Sequence, residues 1–415
     1  MCRQFKCLKA VDRVFVSQFT CLCVVTFCVI LPIICLHLRH SLYYLLWEKN
    51  VAKGRDRMRA DNNKRIEEAN EYLKKVSDAR TLHEPNVGHE TMNHIDVGIT
   101  IITVSRNRHR LDNYEPKYLT QVVAKFMKAI EETSNLKHTY QLFLCDVDPN
   151  SSSYAEIKPL SKLVPIFQRF RSDLNVTVVW STMSISERLE KEKRDYVFCG
   201  RKTLNANVSN IFLVEDDALP HEDLLPVLDR VISNVFDKTK SDHIHHQKNV
   251  TYIKFYHPER LLGYISLEPE RIPELFCLSF LMSTVMMFCY RKYRPITSSY
   301  TRILWFCFFV YSCSLLLLIG RQNLLELRRM SSQLYQVTRA PACCTPAILY
   351  PSKGMEEVLS YLSSVRCKET FGKDYALEKF RTTFKKTGLM VQPNLFTHIG
   401  MYSSLRNEVL DPFIV

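Results

Sequence analysis

Residues 211–217 read Ile-Phe-Leu-Val-Glu-Asp-Asp. Four apolar residues running straight into three acids are the pattern of a buried strand that ends at a polar edge. Upstream, Val97-Gly-Ile-Thr-Ile-Ile-Thr-Val104 is a denser β-branched run, and Ser105-Arg106-Asn107 follow it as a polar turn. Such a run suits a strand covered on both faces. Tyr140–Cys145 (YQLFLC) reads as a further strand ending in Asp146-Val-Asp148, and Val176–Trp180 as another. Tyr118–Glu132, Ser186–Cys199 and Leu224–Val235 read as helices between and after these strands. Alternating strands and helices predict an α/β fold with a mostly parallel sheet and helices on both faces. Ligands of such sheets bind outside the carboxyl ends of the strands, where both acidic clusters fall.

Outward from this core the chain becomes apolar. Phe19–Leu38 carries no Asp, Glu, Lys or Arg, and its length suits a hydrocarbon layer about 30 Å thick. Arg39 and His40 follow in place of a small-residue cleavage site, so an uncleaved anchor is expected. Leu275–Tyr290 and Ile303–Gly320 are apolar on all faces, the first short for a span and the second long enough. The basic stretch Arg291–Arg302 joins them, which predicts a membrane hairpin with a cytosolic tip. Sequons at Asn150, Asn175, Asn207 and Asn249 all lie between the first and second apolar runs, which favours a lumenal address for that stretch. A hairpin then returns the chain to the same side.

The 415 residues, 46% apolar and 24% charged, exclude a disordered chain, and 10 glycines and 17 prolines exclude a collagen-like one. The net charge of +13 suits an anionic partner, but the basic residues are dispersed and the address is lumenal, so no nucleic acid is expected. The 15 cysteines form no paired CxxC groups, against a zinc scaffold. An oxidising lumen predicts pairing, and Cys145 with Cys199 is the expected bridge. Cys343-Cys344 is read either as a vicinal ring or as two buried thiols.

Glu215 and Asp217 project to one side of an extended chain. They either share a divalent cation or divide metal and ribose contacts, Mn2+ or Mg2+ being the hard ions that oxygen ligands suit. The plainer alternative is that Asp216 or Asp217 caps a helix starting near Ala218. Asp146-Val-Asp148, followed by a proline and a sequon, reads more readily as an exposed turn than as a rival metal site. The histidines at 243, 245 and 246 read as a surface loop, and His257 and His398 as lone structural residues. The stretch from Tyr43 to Leu82 reads as a helical stem, His83–His94 as a polar linker, and Met355–Val365 as a helix. The segment after the hairpin is too short to stand alone and is expected to complete the same sheet.

Together the anchor, VEDD at a strand end, FYHPERLLGY (residues 255–264), the interrupting hairpin and PACCTP (residues 341–346) resemble the post-GPI-attachment N-acetylgalactosamine transferase family, also called the transmembrane protein 246 family. The tail PNLFTHIGMYSSLR is also similar to N-glycan-branching N-acetylglucosaminyltransferases. The first resemblance implies a Golgi enzyme with a GT-A-like fold, UDP-GalNAc as donor, and a mannose of the GPI glycan on GPI-anchored proteins as acceptor. It divides the chain into a cytosolic tail (1–18), an anchor (19–38), a lumenal stem (39–94), a glycosyltransferase domain in two parts (95–274 and 321–415) and the hairpin (275–320). It implies that Glu215-Asp216-Asp217 is the metal and sugar-nucleotide motif, with Glu215 and Asp217 as metal ligands. It also implies that Val104, Ser105 and Arg106 border the uridine, and that Cys343 to Pro346, including Thr345 and Pro346, lie beside the sugar nucleotide. Arg106 is the candidate cation for the leaving group and Asp374 the candidate base for an inverting transfer. The rivals are an N-glycan-branching transferase and a non-catalytic membrane protein on the same fold.

Overall fold

A computed structural model of the chain describes residues 16–47, 51–82, 94–106, 116–149, 154–170, 183–237, 249–266, 268–293, 298–403 and 408–409. The strand expected at 176–180, the histidines at 243, 245 and 246, the sequons at Asn150 and Asn175, and residues 83–93 of the linker lie outside the described residues. The chain forms two units, Met1–Gly54 with Glu259–Arg328, and Arg55–Pro258 with Arg329–Val415.

Among the described residues of the first unit three helices are long and apolar enough to cross a bilayer: Val16–Cys35, Pro269–Tyr293 and Thr301–Ile319. The second is longer than its apolar run suggested. Its 25 residues span about 37 Å at 1.5 Å per residue, and Glu274 in its first turn is matched by Arg321 at 2.9 Å. The anchor helix stops at Cys35 rather than Leu38, because the Ser41 hydroxyl donates to the Cys35 carbonyl (2.7 Å) and turns the chain. The third helix stops at Gly320, where φ is +87° and a Cβ would overlap the His40 carbonyl, so only glycine fits. Outward-facing side chains are large and apolar, Val285 being 61% and Phe288 73% exposed, as lipid-facing positions require. Inside, Thr26 and Tyr311 satisfy each other's hydroxyls at 2.8 Å.

The second unit is built on a sheet. Among the described residues its main strands are β1 (Ile95–Thr103), β2 (Tyr140–Asp146), β3 (Ile166–Gln168), β4 (Val208–Glu215), β5 (Ala218–Pro220), β6 (Val250–Lys254), β7 (Gln336–Arg339), β8 (Ala347–Pro351), β9 (Thr387–Gln392) and β10 (Phe396–His398). Its helices are α1 (Val51–Leu82), α2 (Tyr118–Glu132), α3 (Ile185–Leu204), α4 (Leu224–Val235), α5 (Ser352–Ser364) and α6 (Lys373–Thr383). Eight strands form one sheet in the order β3-β2-β1-β4-β8-β6-β9-β7, and β10 pairs separately with β5. Within the eight-stranded sheet the pairings of β4 with β8, β8 with β6, and β9 with β7 are antiparallel and the others parallel, and β10 with β5 is antiparallel. Only β7 and β8 therefore run against the rest. Both come from the segment after the paired apolar helices, as does β9, so that segment completes the sheet.

Helices cover both faces. Residues of α2 and α4, such as Val122, Phe126, Leu228 and Ile232, share one core with Ile99, Phe212 and Leu349 of the sheet. Each fully buried side chain of this kind stabilises the fold by about 2 kcal/mol. On the opposite face α3 and α5 lie close together, Gly200 of α3 meeting Met355 and Leu359 of α5 and Leu213 of β4. Tyr196 of α3 and Tyr350 of β8 share a buried hydroxyl pair at 2.8 Å. The helix α1 does not stand apart from the sheet. The side-chain Oδ1 of its Asn62 accepts from Gln121 of α2 (2.9 Å), and Arg65 donates to the same glutamine (2.8 Å).

Candidate active site

β1 and β4 are parallel neighbours with Ile102 beside Glu215, so both strands end at the same edge of the sheet, where folds of this kind place their ligand crevice. Asp216 is buried there. It accepts from the Thr103 hydroxyl (2.8 Å) and from Arg106 (2.5 Å). Arg106 also reaches Asp217 at 2.9 Å and lies over the Tyr118 ring. Burial alone would disfavour the charge on Arg106, yet the two acids override it and hold the guanidinium protonated. Burial pushes the Asp216 carboxyl up in spite of Arg106. At Asp217 the balance reverses: burial is outweighed by Arg106 and His398, which hold that carboxyl well below the usual range.

His398 reaches Asp217 through the β5–β10 ribbon. His398 lies opposite Ala218, the Ile399 amide donates to the Asp217 carbonyl (2.9 Å), and Nε2 of His398 sits 3.5 Å from Oδ2 of Asp217. Burial lowers the imidazole pKa, but the carboxylate more than compensates and raises it. The ribbon requires glycine at position 400, since a Cβ there would overlap the Asp217 carboxylate. A strand, not a helix, follows Asp217, and the next helix starts at Leu224. The helix-cap alternative therefore falls.

The third acid has a different partner. Glu215 pairs with Lys373 at 3.1 Å, and Lys373 pairs with Glu192 at 2.9 Å and lies over the Tyr196 ring. The Glu215 side chain keeps 31% of its surface accessible, but protein surrounds it closely enough that burial dominates. Asp217 and Glu192 push the same way and Lys373 opposes, bringing the carboxyl to about 7. The Glu215 amide donates to the Pro346 carbonyl (2.8 Å). Asp374 accepts from the Thr345 hydroxyl (2.8 Å) and the Cys344 amide (3.1 Å).

The structure thus gathers Val104–Arg106, Glu215–Asp217, Thr345–Pro346 and Asp374 at one end of the sheet, although they lie far apart in sequence. Two roles look different in place. Arg106 is bound to the acid pair rather than open to a substrate, and Asp374 has both carboxylate oxygens engaged by the turn. Asp146 and Asp148 are buried, not an exposed turn. Asp148 accepts the Ser105 amide (2.9 Å) and Asp146 accepts the Asp148 amide (2.9 Å), so the pair shapes the exit of β1. His257 is buried, its backbone amide donating to the side-chain oxygen of Asn394 (3.0 Å).

The bridge between Cys145 and Cys199 is formed and ties the end of β2 to α3; Cys343 and Cys344 are joined as a vicinal ring. Among the described residues the one group of three metal-ligand side chains within 4.8 Å is Cys343, Cys344 and Asp374. Its sulfurs are already bonded to each other, so it is not a thiolate site.

Sequence reasoning missed Lys373 and Glu192 and assigned His398 a structural role. The only local signal for Lys373 was its place beside Asp374 in the polar turn Gly372–Asp374. Asp217 offers a buried carboxylate oxygen that a divalent cation could use. Oδ1 of Asp217 and Nδ1 of His398 are both buried with no hydrogen-bond partner, whereas Glu215 is engaged by Lys373.

Compared with known proteins, residues 97–397 match the family model described as GPI-N-acetylgalactosamine transferase PGAP4. Among solved structures, the chain is similar to mouse xyloside xylosyltransferase 1 in its apo form, at 8% identity and a TM-score of 0.32, over 71% of this chain and 84% of that one.

Proposed function

We infer the reaction from one premise: the chain belongs to the GPI-N-acetylgalactosamine transferase PGAP4 family, and it is a glycosyltransferase. It transfers N-acetylgalactosamine from UDP-GalNAc to a mannose of the GPI-anchor glycan, with inversion, using Mn2+ or Mg2+. It does so in the Golgi membrane, with the N-terminus cytosolic and the sheet on the lumenal side. Three helices of membrane-spanning length and the Cys145–Cys199 bridge support a membrane enzyme working in an oxidising compartment.

The observation that carries the reading is the buried Asp217 carboxylate, one oxygen unpartnered, at the carboxyl ends of β1 and β4. Asp217 would hold the cation through its unpartnered Oδ1, with His398 paired to the other oxygen, whereas Glu215, the second ligand expected from sequence, is engaged by Lys373. When bound, the cation supplies charge neutralisation for the departing nucleoside diphosphate. Arg106 keeps Asp216 and Asp217 at fixed positions and keeps Asp217 ionised. Lys373 orients Glu215, whose side chain keeps part of its surface accessible. Asp374 holds the turn at Thr345 rather than taking the acceptor proton.

Deleting the protein from cells should remove one HexNAc from the mass of released GPI glycans; unchanged masses reject the acceptor. Asp217→Ala should abolish transfer while the chain still fractionates with membranes. Full activity in that variant removes the cation assignment.

A further inference from the structure

The turn Pro341–Pro346 joins β7 to β8, and its Pro346 carbonyl accepts the Glu215 amide. It therefore fronts the acid triplet directly. Its backbone is held in an uncommon form: Cys343 (φ +80°) and Cys344 (φ +67°) are two consecutive non-glycine residues in the left-handed region, where a Cβ crowds the following carbonyl. Such a conformation persists only where the surroundings impose it.

Besides the vicinal ring, two charged side chains impose it from two different elements. Lys254, the last residue of β6, is 3% exposed. Its ammonium donates to the carbonyls of Cys343 (2.6 Å) and Pro341 (3.1 Å). Asp374, in the first turn of α6, accepts the Cys344 amide and the Thr345 hydroxyl. Burying an ammonium is costly, and a methionine would fill the same space without that cost. The charge is therefore explained by what it holds.

We propose that Lys254 is a positioning residue which, with Asp374, clamps the Pro341–Pro346 turn and so fixes the wall of the donor site facing Glu215–Asp217. This rests on the reading of the crevice as the sugar-nucleotide site. Pre-organising that wall lowers the ordering cost of donor binding, so the clamp acts on donor affinity and leaves acceptor affinity alone.

The test uses the full-length enzyme in detergent. Lys254→Met should raise the donor KM by tenfold or more with acceptor KM unchanged and kcat within threefold, and Lys254→Arg should restore most of the loss. Amide hydrogen exchange at Cys344 should quicken by tenfold or more in Lys254→Met. Asp374→Asn should give the same donor-KM signature; loss of kcat at constant donor KM would return Asp374 to the role of proton acceptor and overturn the clamp. Unchanged exchange at Cys344 with unchanged donor KM also overturns it, as does a parallel shift of both KM values. If Lys254→Met does not fold, Lys254→Gln takes its place in both readouts. If the wild-type enzyme transfers no hexosamine, the functional reading fails, while the exchange measurement still decides the clamp.

Discussion

Replacing Arg106 with methionine tests the electrostatic centre of the site. Arg106 is the shared partner of Asp216 at 2.5 Å and Asp217 at 2.9 Å, and all three side chains are at least nine-tenths buried. Removing one member of a buried ion pair costs about 3–5 kcal/mol, mainly because the opposite charge stays behind without compensation. Here two carboxylates remain, and His398 reaches only one of them. Arg106→Met should therefore lie at the upper end of that range.

For a unit of this size about 5 kcal/mol corresponds to a fall of roughly 10 °C or more in Tm. Tryptophan fluorescence of the detergent-solubilised chain during heating would measure it at neutral pH. The double variant Arg106→Met with Asp216→Asn should recover part of the loss, since one stranded charge is gone, and Asp216→Asn alone should cost less than Arg106→Met. A Tm for Arg106→Met within 2 °C of wild type, or additive losses in the double variant, would refute the argument that this arginine neutralises the acid pair.

Gly400→Ala should reduce transfer by more than tenfold with little loss of expression, because its methyl group overlaps the Asp217 carboxylate; a transfer assay on membranes from cells expressing each form decides it. Burial disfavours the charged form of His138, but Asp229 at 2.7 Å and Asp237 at 3.0 Å override this and raise its pKa above 6.5. The stabilisation by the imidazolium is thus complete below pH 6.5 and fades as pH rises through the folded value. Wild type should lose Tm relative to His138→Gln between pH 6 and pH 8, and a constant difference refutes the pairing. Cys145→Ser with Cys199→Ser opens a loop of 54 residues and should cost about 4 kcal/mol, read as the shift in the same melting experiment; an unchanged Tm would mean that this bridge restrains nothing.

The elements legible in the chain before folding are those whose signal is local. The apolar runs that became the three membrane-length helices, the β-branched run of β1, the apolar strand β4 and the acids that end it are all short-range patterns. Neither water nor lipid leaves such runs many alternatives. Even the resemblance to a transferase family rested on short stretches taken in order. The remaining site residues depended on contacts made only by folding. Lys373 meets Glu215 across 158 positions, and His398 meets Asp217 only because β10 pairs with β5. A charged residue in a polar turn such as Gly372–Asp374 looks solvated in sequence, and its burial is decided by whatever packs over it. The antiparallel strands β7 and β8 are equally hidden, because pairings such as that of Asn210 with Pro351 join residues far apart in sequence. Periodicity records which face of an element is apolar. Which charges meet at the ends of the strands is fixed by the tertiary arrangement, where burial makes a misplaced or unpaired charge too costly to keep.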